Sequence, residues 1–314
     1  MSLYSQLMTF RNFLYDRGVI HSESAKLPTV VVGNLTVGGN GKSPISEMIC
    51  RVLEEQGHRP VILLRGYGGR IVSPHLVEGV DSAKKVGDEA LMHFRAGFRV
   101  VVSPDRLAGC HFIAAKGLGD IAVLDDGLQH RALRPTVSLA LFDKAALVDV
   151  SRGRYLPFGR LREAVIPALR RVSAVVLVER GEDLSRPDWV PDPLPCFRAS
   201  LTLGELRSLS GETMEYSQVS SAIALSSLAK PEQFEQMLEL KGVQILESVR
   251  GRDHQRWSEA ELMRLDERPG DVIITTAKDA VKLESLTLPR KKIFAASLTA
   301  ELPEEFKRWL LEKL

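Results

Sequence analysis

The sequence is short of several things that would otherwise narrow its chemistry. Its 314 residues include only three cysteines, Cys50, Cys110 and Cys196. They are odd in number and far apart, so reduced cytoplasmic thiols are the simplest account of them. No Cys/His cluster has zinc-ligand spacing. No run reaches the roughly 18 uncharged apolar residues that a membrane-spanning helix needs. A basic start followed by an unbroken apolar stretch and a small-residue cleavage site is also missing, which argues against a cleavable signal. The formal net charge is only +2, and no basic stripe carries interleaved aromatics, so no nucleic-acid partner is expected. Internal repeats and low-complexity tracts are absent.

What remains is a chain that is 44% hydrophobic and 26% charged, enough for a real core in one large domain or two of ordinary size. From Leu27 to about Val178, short apolar runs alternate with helical patterns. The runs at 29–32, 61–64, 99–102, 121–124, 137–141 and 174–178 are continuous and rich in β-branched residues, as in strands buried on both faces of a parallel sheet. A helix is expected over Ser43 to Gln56, stopped by Gly57. Residues 181–197, rich in proline and acid, read as a linker or long loop. Beyond them, strands at 221–225, 243–246, 271–275 and 292–294 and helices at 231–240 and 258–265 predict a second unit. The fold expected is α/β: a P-loop NTPase-like, mostly parallel sheet flanked by helices over 1–200, then a smaller α/β domain over 201–314. The amphipathic helix at 304–314 closes the chain and is able to pack back on the first domain.

One segment carries specific chemistry. Val30-Val31-Val32-Gly33-Asn34-Leu35-Thr36-Val37-Gly38-Gly39-Asn40-Gly41-Lys42-Ser43 runs from an apolar strand into a helix. Its glycines let backbone N–H groups turn inward around phosphate oxygens, and the helix N-terminus adds favourable partial charge. Thr36, Val37, Gly38, Gly39, Asn40, Gly41, Lys42 and Ser43 are the expected nucleotide contacts. Lys42 would reach the β/γ-phosphates and Ser43 would ligate Mg²⁺. The general pattern places glycine where Thr36 stands. Ile121 to Asp126 is an apolar strand ending in two carboxylates, and Asp125 and Asp126, with Ser43, form the expected metal set.

Three clusters compete for the acceptor side. Arg65-Gly66-Tyr67-Gly68-Gly69-Arg70 is either a mobile phosphate-contacting loop or a surface glycine turn. Asp88 either caps a helix or serves as a base. His254, oriented by Asp253 or another carboxylate, is either a catalytic group or an ordinary turn histidine. Arg152, Arg154, Arg160, Arg162, Arg170 and Arg171 are either a solvated surface or a face for an anionic, partly apolar ligand or membrane headgroups. The opening 20 residues form an amphipathic pattern that lies on a bilayer or docks on its own domain.

Taken together the motifs resemble the tetraacyldisaccharide 4'-kinase family of Gram-negative bacteria. The matching pieces are Arg11-Asn12-Phe13-Leu14-Tyr15-Asp16-Arg17-Gly18, the loop Val32 to Pro44, Arg65-Gly66-Tyr67-Gly68, Val86-Gly87-Asp88-Glu89-Ala90 and Asp125-Asp126-Gly127-Leu128-Gln129-His130. Leu156-Pro157 with Gly159 and Leu161-Arg162-Glu163, Asp253-His254, and Thr275-Thr276 with Lys278-Asp279-Ala280-Val281 complete the set, in order over almost the whole chain. The loop beginning Gly-Asn-Leu-Thr-Val-Gly-Gly accounts for Thr36.

The resemblance implies transfer of the γ-phosphoryl of ATP to the 4'-hydroxyl of a tetraacylated glucosamine disaccharide 1-phosphate, with Mg²⁺, at the cytoplasmic face of the bacterial inner membrane. Membrane contact is peripheral, and no obligate protein partner is expected. It implies Asp88 as catalytic base and His254 as the histidine paired with it, the two meeting when a cleft between the domains closes. Arg65, Tyr67, Gln129, His130 and Arg162 are the implied substrate contacts, and the membrane reading of the first helix is favoured. No role is implied for the 275–279 stretch.

Three departures stand out. Phe158 and Arg160 occupy positions where the family usually has alanine and proline, and are expected to reshape acyl or headgroup contacts. Ser226-Ser227 stands where many members have a glycine-rich phrase. The apolar lead-in of the first helix is shorter than is common, which predicts weaker attachment. Among competing classes, a GTPase would show Asn-Lys-x-Asp, of which Thr276-Ala277-Lys278-Asp279 keeps only the second half. A non-catalytic interaction protein has no use for Asp88 and His254. A P-loop kinase of another small sugar or metabolite keeps Lys42, Ser43 and the Asp125–Asp126 pair but has no need of a basic, apolar surface.

Overall fold

The computed structural model describes residues 3–39, 41–252 and 255–314, with backbone only for 3–5. The chain divides into two compact units, residues 1–201 with 300–314, and residues 202–299.

In the first unit a helix α1 (Leu3–Asp16) precedes strand β1 (Thr29–Asn34), helix α2 (Lys42–Glu55) and strand β2 (Pro60–Leu64). Then come α3 (Asp88–Arg95), β3 (Val100–Val102), α4 (Arg106–Ala115), β4 (Ile121–Asp125), β5 (Val137–Asp143), α5 (Lys144–Ser151), α6 (Val165–Leu169) and β6 (Ala174–Glu179). The strand order is β6-β5-β1-β4-β2-β3, and all five pairings are parallel. A two-residue strand, His75–Leu76, caps the β3 edge in antiparallel register. Each of these six strands except the last residue of β6 is buried throughout, as continuous Val/Ile/Leu runs demand when helices cover both faces.

β1 lies at the centre, with β4 on one side and β5 on the other. Its carboxyl end is therefore a topological switch point, where α/β sheets place their ligands. A strand absent from the expectation above, β7 (Cys196–Ser208), starts beside β6, pairing Cys196–Ser200 with Val175–Glu179 in parallel.

The second unit holds the rest of β7, strand β8 (Ala222–Ser226), helix α7 (Pro231–Leu240), β9 (Ile245–Arg250), α8 (Glu259–Met263), β10 (Val272–Thr276), α9 (Ala277–Leu283) and most of β11 (Ile293–Glu301). The order β9-β8-β10-β11 is parallel throughout. Alternation along β8 decides which core each residue joins. Ala222 and Ala224 pack with Phe234 and Leu238 of α7, whereas Ile223 and Leu225 pack with Leu262 of α8 and Leu283 of α9. Helix α10 (Glu304–Lys313) belongs to the first unit, where Phe306 meets Phe197 edge to face at 5.2 Å. The three cysteines are free thiols.

Candidate active site

The loop between β1 and α2 is held from below. Val37 N–H donates to the Arg160 carbonyl at 2.8 Å and Arg162 N–H to the Leu35 carbonyl at 2.7 Å. Thr36 is fully buried and bridges to Leu161. The residue that strains a generic phosphate-loop pattern is thus packed into the loop's base. Gly41 ends the loop with φ 79°, and a Cβ there would fall 2.5 Å from Leu201 Cδ1, so only glycine fits both the backbone and the space. Asn40 lies outside the described residues.

From this turn α2 starts with Lys42 and Ser43. Ser43 Oγ donates to Asp125 Oδ2 at 2.8 Å, and Lys42 Nζ lies 3.9 Å from Asp126 Oδ1. Asp125 ends β4, and Asp126 follows in the left-handed region with φ 60°. Such a conformation is tolerated by aspartate better than by most side chains. It turns the second carboxylate of the pair away from the first.

Asp125 is the electrostatic centre. The buried His93 of α3 places Nε2 3.1 Å from Asp125 Oδ2 and Nδ1 2.7 Å from Glu47 Oε1. With both ring nitrogens facing carboxylates, the imidazole is the doubly protonated form. Burial pushes its pKa down, but the hydrogen bonds to Asp125 and Glu47 raise it to about 9. For Asp125, burial pushes the carboxyl up, and the contacts with His93, Lys42 and Ser43 outweigh it and hold it below the ordinary value. Asp125 Oδ1 is buried with no hydrogen-bond partner.

An ionised carboxylate with one unused oxygen beside a serine hydroxyl is a hard-oxygen donor pair, and it fits Mg²⁺. Among the described residues no group of three or more His, Cys, Asp or Glu could hold a metal by itself.

Asp126 leads to the next group. Arg162 Nη1 and Nη2 lie 3.3 and 3.4 Å from its two oxygens, and Nη1 also donates to Gln129 Oε1 at 2.7 Å. Gln129 in turn donates to the Asn34 carbonyl at 2.9 Å and to Glu163 at 3.3 Å. His130 lies with its Nε2 3.7 Å from Asp105, and burial, then the charge of Arg106, lowers its pKa. Arg106 is itself buried, and burial followed by repulsion from Arg65 pulls it down to about 10.

Two further loops interlock on the same edge of the sheet. Gly66 has φ 75° with its Cβ position 2.3 Å from Val102 Cγ1, and Gly87 has φ 95° with its Cβ position 2.6 Å from the Tyr67 carbonyl. The Arg65–Arg70 loop and the turn before α3 therefore touch backbone to backbone. Arg65 and Tyr67 are exposed, and Asp88 is half-buried. Asp88 is the first residue of α3, with Gly87 as the N-cap and no side-chain cap bond.

Among the sequence-derived residues, Ser43 contacts Asp125, and Lys42, Asp126, Arg162 and Gln129 form a chain of direct contacts beside that pair. Asp253 and His254 lie outside the described residues. A profile of the family described as "LpxK: Tetraacyldisaccharide-1-P 4'-kinase" matches residues 1–314. The chain belongs to this family.

It is 34% identical to the tetraacyldisaccharide 4'-kinase of Tolumonas auensis over 317 residues, spanning 100% of this chain and 91% of the relative. With the Actinobacillus succinogenes enzyme of the same name it shares 31% identity, over 99% and 92% of the two chains. Among solved structures, that of LpxK from Aquifex aeolicus, an "apo" form in complex with ATP, superposes with a TM-score of 0.79 at 28% identity, covering 99% of this chain and 96% of that one.

Several residues of this LpxK-family site were not singled out from the sequence. Glu47, His93 and Arg106 are all in or against it, and Glu163, read from the sequence only as part of the Leu161-Arg162-Glu163 motif, holds Gln129. Glu47 carried a faint signal, lying one helical turn after Ser43. Arg160 corrects an expectation: its side chain is not on a headgroup surface but pairs inward with the buried Asp149. Helix α1 is docked by its polar side, Asn12 donating to Glu163 at 2.6 Å and Arg131 pairing with Asp16 at 2.7 Å. Its Leu7, Phe10 and Phe13 stay exposed. No helix among the described residues is long and apolar enough to cross a membrane.

Proposed function

We propose that the chain transfers the γ-phosphoryl group of ATP to the 4'-hydroxyl of a tetraacylated glucosamine disaccharide 1-phosphate. The observation that carries this reading is Asp125, ionised, buried and facing Ser43 at the first turn of α2 with one oxygen unused. Ser43 and Asp125, with Asp126 behind them, would hold Mg²⁺. The metal would neutralise charge on the β- and γ-phosphates.

Lys42 and the backbone N–H groups of the glycine loop bind the phosphates. Asp88 accepts the proton of the attacking 4'-hydroxyl as the new oxygen–phosphorus bond forms and the bond to ADP breaks. His254 supports Asp88. Arg65, Tyr67, Gln129, His130 and Arg162 orient the acceptor, so that hydroxyl rather than water reaches the γ-phosphate. The exposed apolar side of α1 meets the cytoplasmic face of the inner membrane, where the acceptor resides.

The test is transfer of radiolabelled γ-phosphate from ATP–Mg²⁺ to the tetraacyldisaccharide 1-phosphate in detergent micelles. Labelled bis-phosphorylated lipid is expected, with Asp88→Ala slower by roughly 10²–10⁴-fold. ATP binding without lipid product would refute the acceptor and turn the assay to smaller sugars.

A further inference from the structure

The six arginines between 152 and 171 are two sets, not one. Arg160, Arg162 and Arg171 point inward and pair with Asp149, Asp126 and Glu163. Arg152, Arg154 and Arg170 are exposed, and among the described residues none has a carboxylate partner.

Each exposed arginine stands beside an exposed apolar side chain. Val148, 40% exposed, and Arg152 are one turn apart at the end of α5. Ile166, 50% exposed, and Arg170 are one turn apart along α6 and past its end. Phe158, 90% exposed, sits at the tip of a loop closed by Leu161 N–H to the Arg154 carbonyl at 3.0 Å. Ile166 also lines a groove of about 300 Å³, together with Val150, Tyr155, Leu161, Val165 and Trp189 of the same stretch and its neighbour. The acids of this stretch, Asp149 and Glu163, are buried, and the exposed Asp188 adjoins the groove residue Trp189 in sequence.

Apolar tips flanked by unpaired guanidinium groups match the layering of an anionic bilayer surface, with acyl chains below and phosphates above. The face is also continuous with α1, since Asn12 of α1 and Arg171 behind α6 share the Glu163 carboxylate. We propose that residues 148–170 form a second lipid contact. Phe158 and Ile166 enter the acyl region, and Arg152, Arg154 and Arg170 meet the phosphates of anionic headgroups. This rests on the reading of a peripheral, lipid-directed kinase.

The full chain is sedimented with vesicles of phosphatidylcholine alone and with roughly one-third phosphatidylglycerol. Binding is expected to the anionic vesicles and to weaken with added salt. Phe158→Ser with Ile166→Ser should lower the partition coefficient by about tenfold on either lipid, the scale of losing two apolar insertions. Arg152→Gln with Arg154→Gln and Arg170→Gln should remove the preference for anionic vesicles by about tenfold or more. Both variants keep the wild-type melting temperature and kcat on micellar acceptor, because the changed side chains are exposed and outside the site.

Binding lost with Phe10→Ser and Phe13→Ser but untouched by the 148–170 variants would overturn the second contact while leaving the membrane reading intact. Wild-type protein that ignores anionic vesicles would overturn both. An arginine variant that raises KM for acceptor in micelles without altering vesicle binding would make the face a substrate site and overturn the lipid-surface proposal.

Discussion

Asp125 of the first unit and Asp279 of the second are both buried carboxylates at the carboxyl edge of a parallel sheet, and the two are finished differently. Asp279 of the second unit is fully buried, and both of its oxygens are saturated. Ser227 Oγ and Lys282 Nζ donate to Oδ1, and Ser227 N–H at 2.8 Å and Thr276 Oγ1 at 3.0 Å donate to Oδ2. Lys282 spends its other two protons on Ser227 Oγ at 2.7 Å and the Gln255 carbonyl at 3.2 Å. Asp125 of the first unit has Ser43 and His93 on one oxygen and nothing on the other. A saturated buried charge is a finished structural element. An unsaturated one costs free energy that folding alone does not recover, and at Asp125 the proposed Mg²⁺ would complete the set.

The contrast is sharpened by exchanging charges for neutral isosteres. Asp125→Asn should lower kcat on the order of a thousandfold, the scale of losing a preorganised electrostatic group. Lys282→Met should do the reverse of a site mutation and destabilise the protein by about 3–5 kcal/mol, because it strands Asp279 as an unpaired buried charge. Turnover with saturating ATP and acceptor checks the first and calorimetric unfolding the second, and a Lys282→Met protein that melts like wild type would break the distinction.

A third carboxylate, Asp81, is a smaller closed case, bonded by Lys85, the Glu78 N–H at 2.9 Å and His75 at 2.8 Å. Burial pushes its pKa up, yet these bonds prevail and lower it from 3.8 to about 2. The side chain is 1% exposed, so the shift corresponds to about 2 kcal/mol of stability. That contribution is present above pH ~4 and is lost as the pH falls through ~2. The stability gap between wild type and Asp81→Asn, read by denaturant melts, should therefore close across that window.

How much of this was legible in the sequence follows the range of the interactions. The glycine loop, Lys42, Ser43 and the Asp125–Asp126 tip were readable because a strand, a tight turn and a helix start are local and leave residue-type signatures. Strand β7 was missed although Phe197, Ala199, Leu201 and Leu203 alternate with polar residues, because the proline- and acid-rich run before it was carried on to 197 as loop and the break in period at Gly204-Glu205 hides its second half. His93 and Glu47 were invisible for another reason. Each is unremarkable on its own helix, and only packing sets Glu47 and Asp125 on the two ring nitrogens of His93. The arginine run was visible as composition, but which of its members turn inward depends on Asp149, Asp126 and Glu163, which only the fold supplies. The 275–279 stretch, recognised without a role, proves to be the N-terminal cap and first turn of α9, which hold Asp279.

The most direct test of the open carboxylate is the Mg²⁺ dependence of ATP affinity, measured by calorimetry on wild type and Asp125→Asn. The account predicts that Mg²⁺ tightens ATP binding to the wild-type protein and has little effect on the variant, while both proteins bind metal-free ATP alike. Equal tightening by Mg²⁺ in both would contradict it, and Asp125 would then be one more structural carboxylate like Asp279.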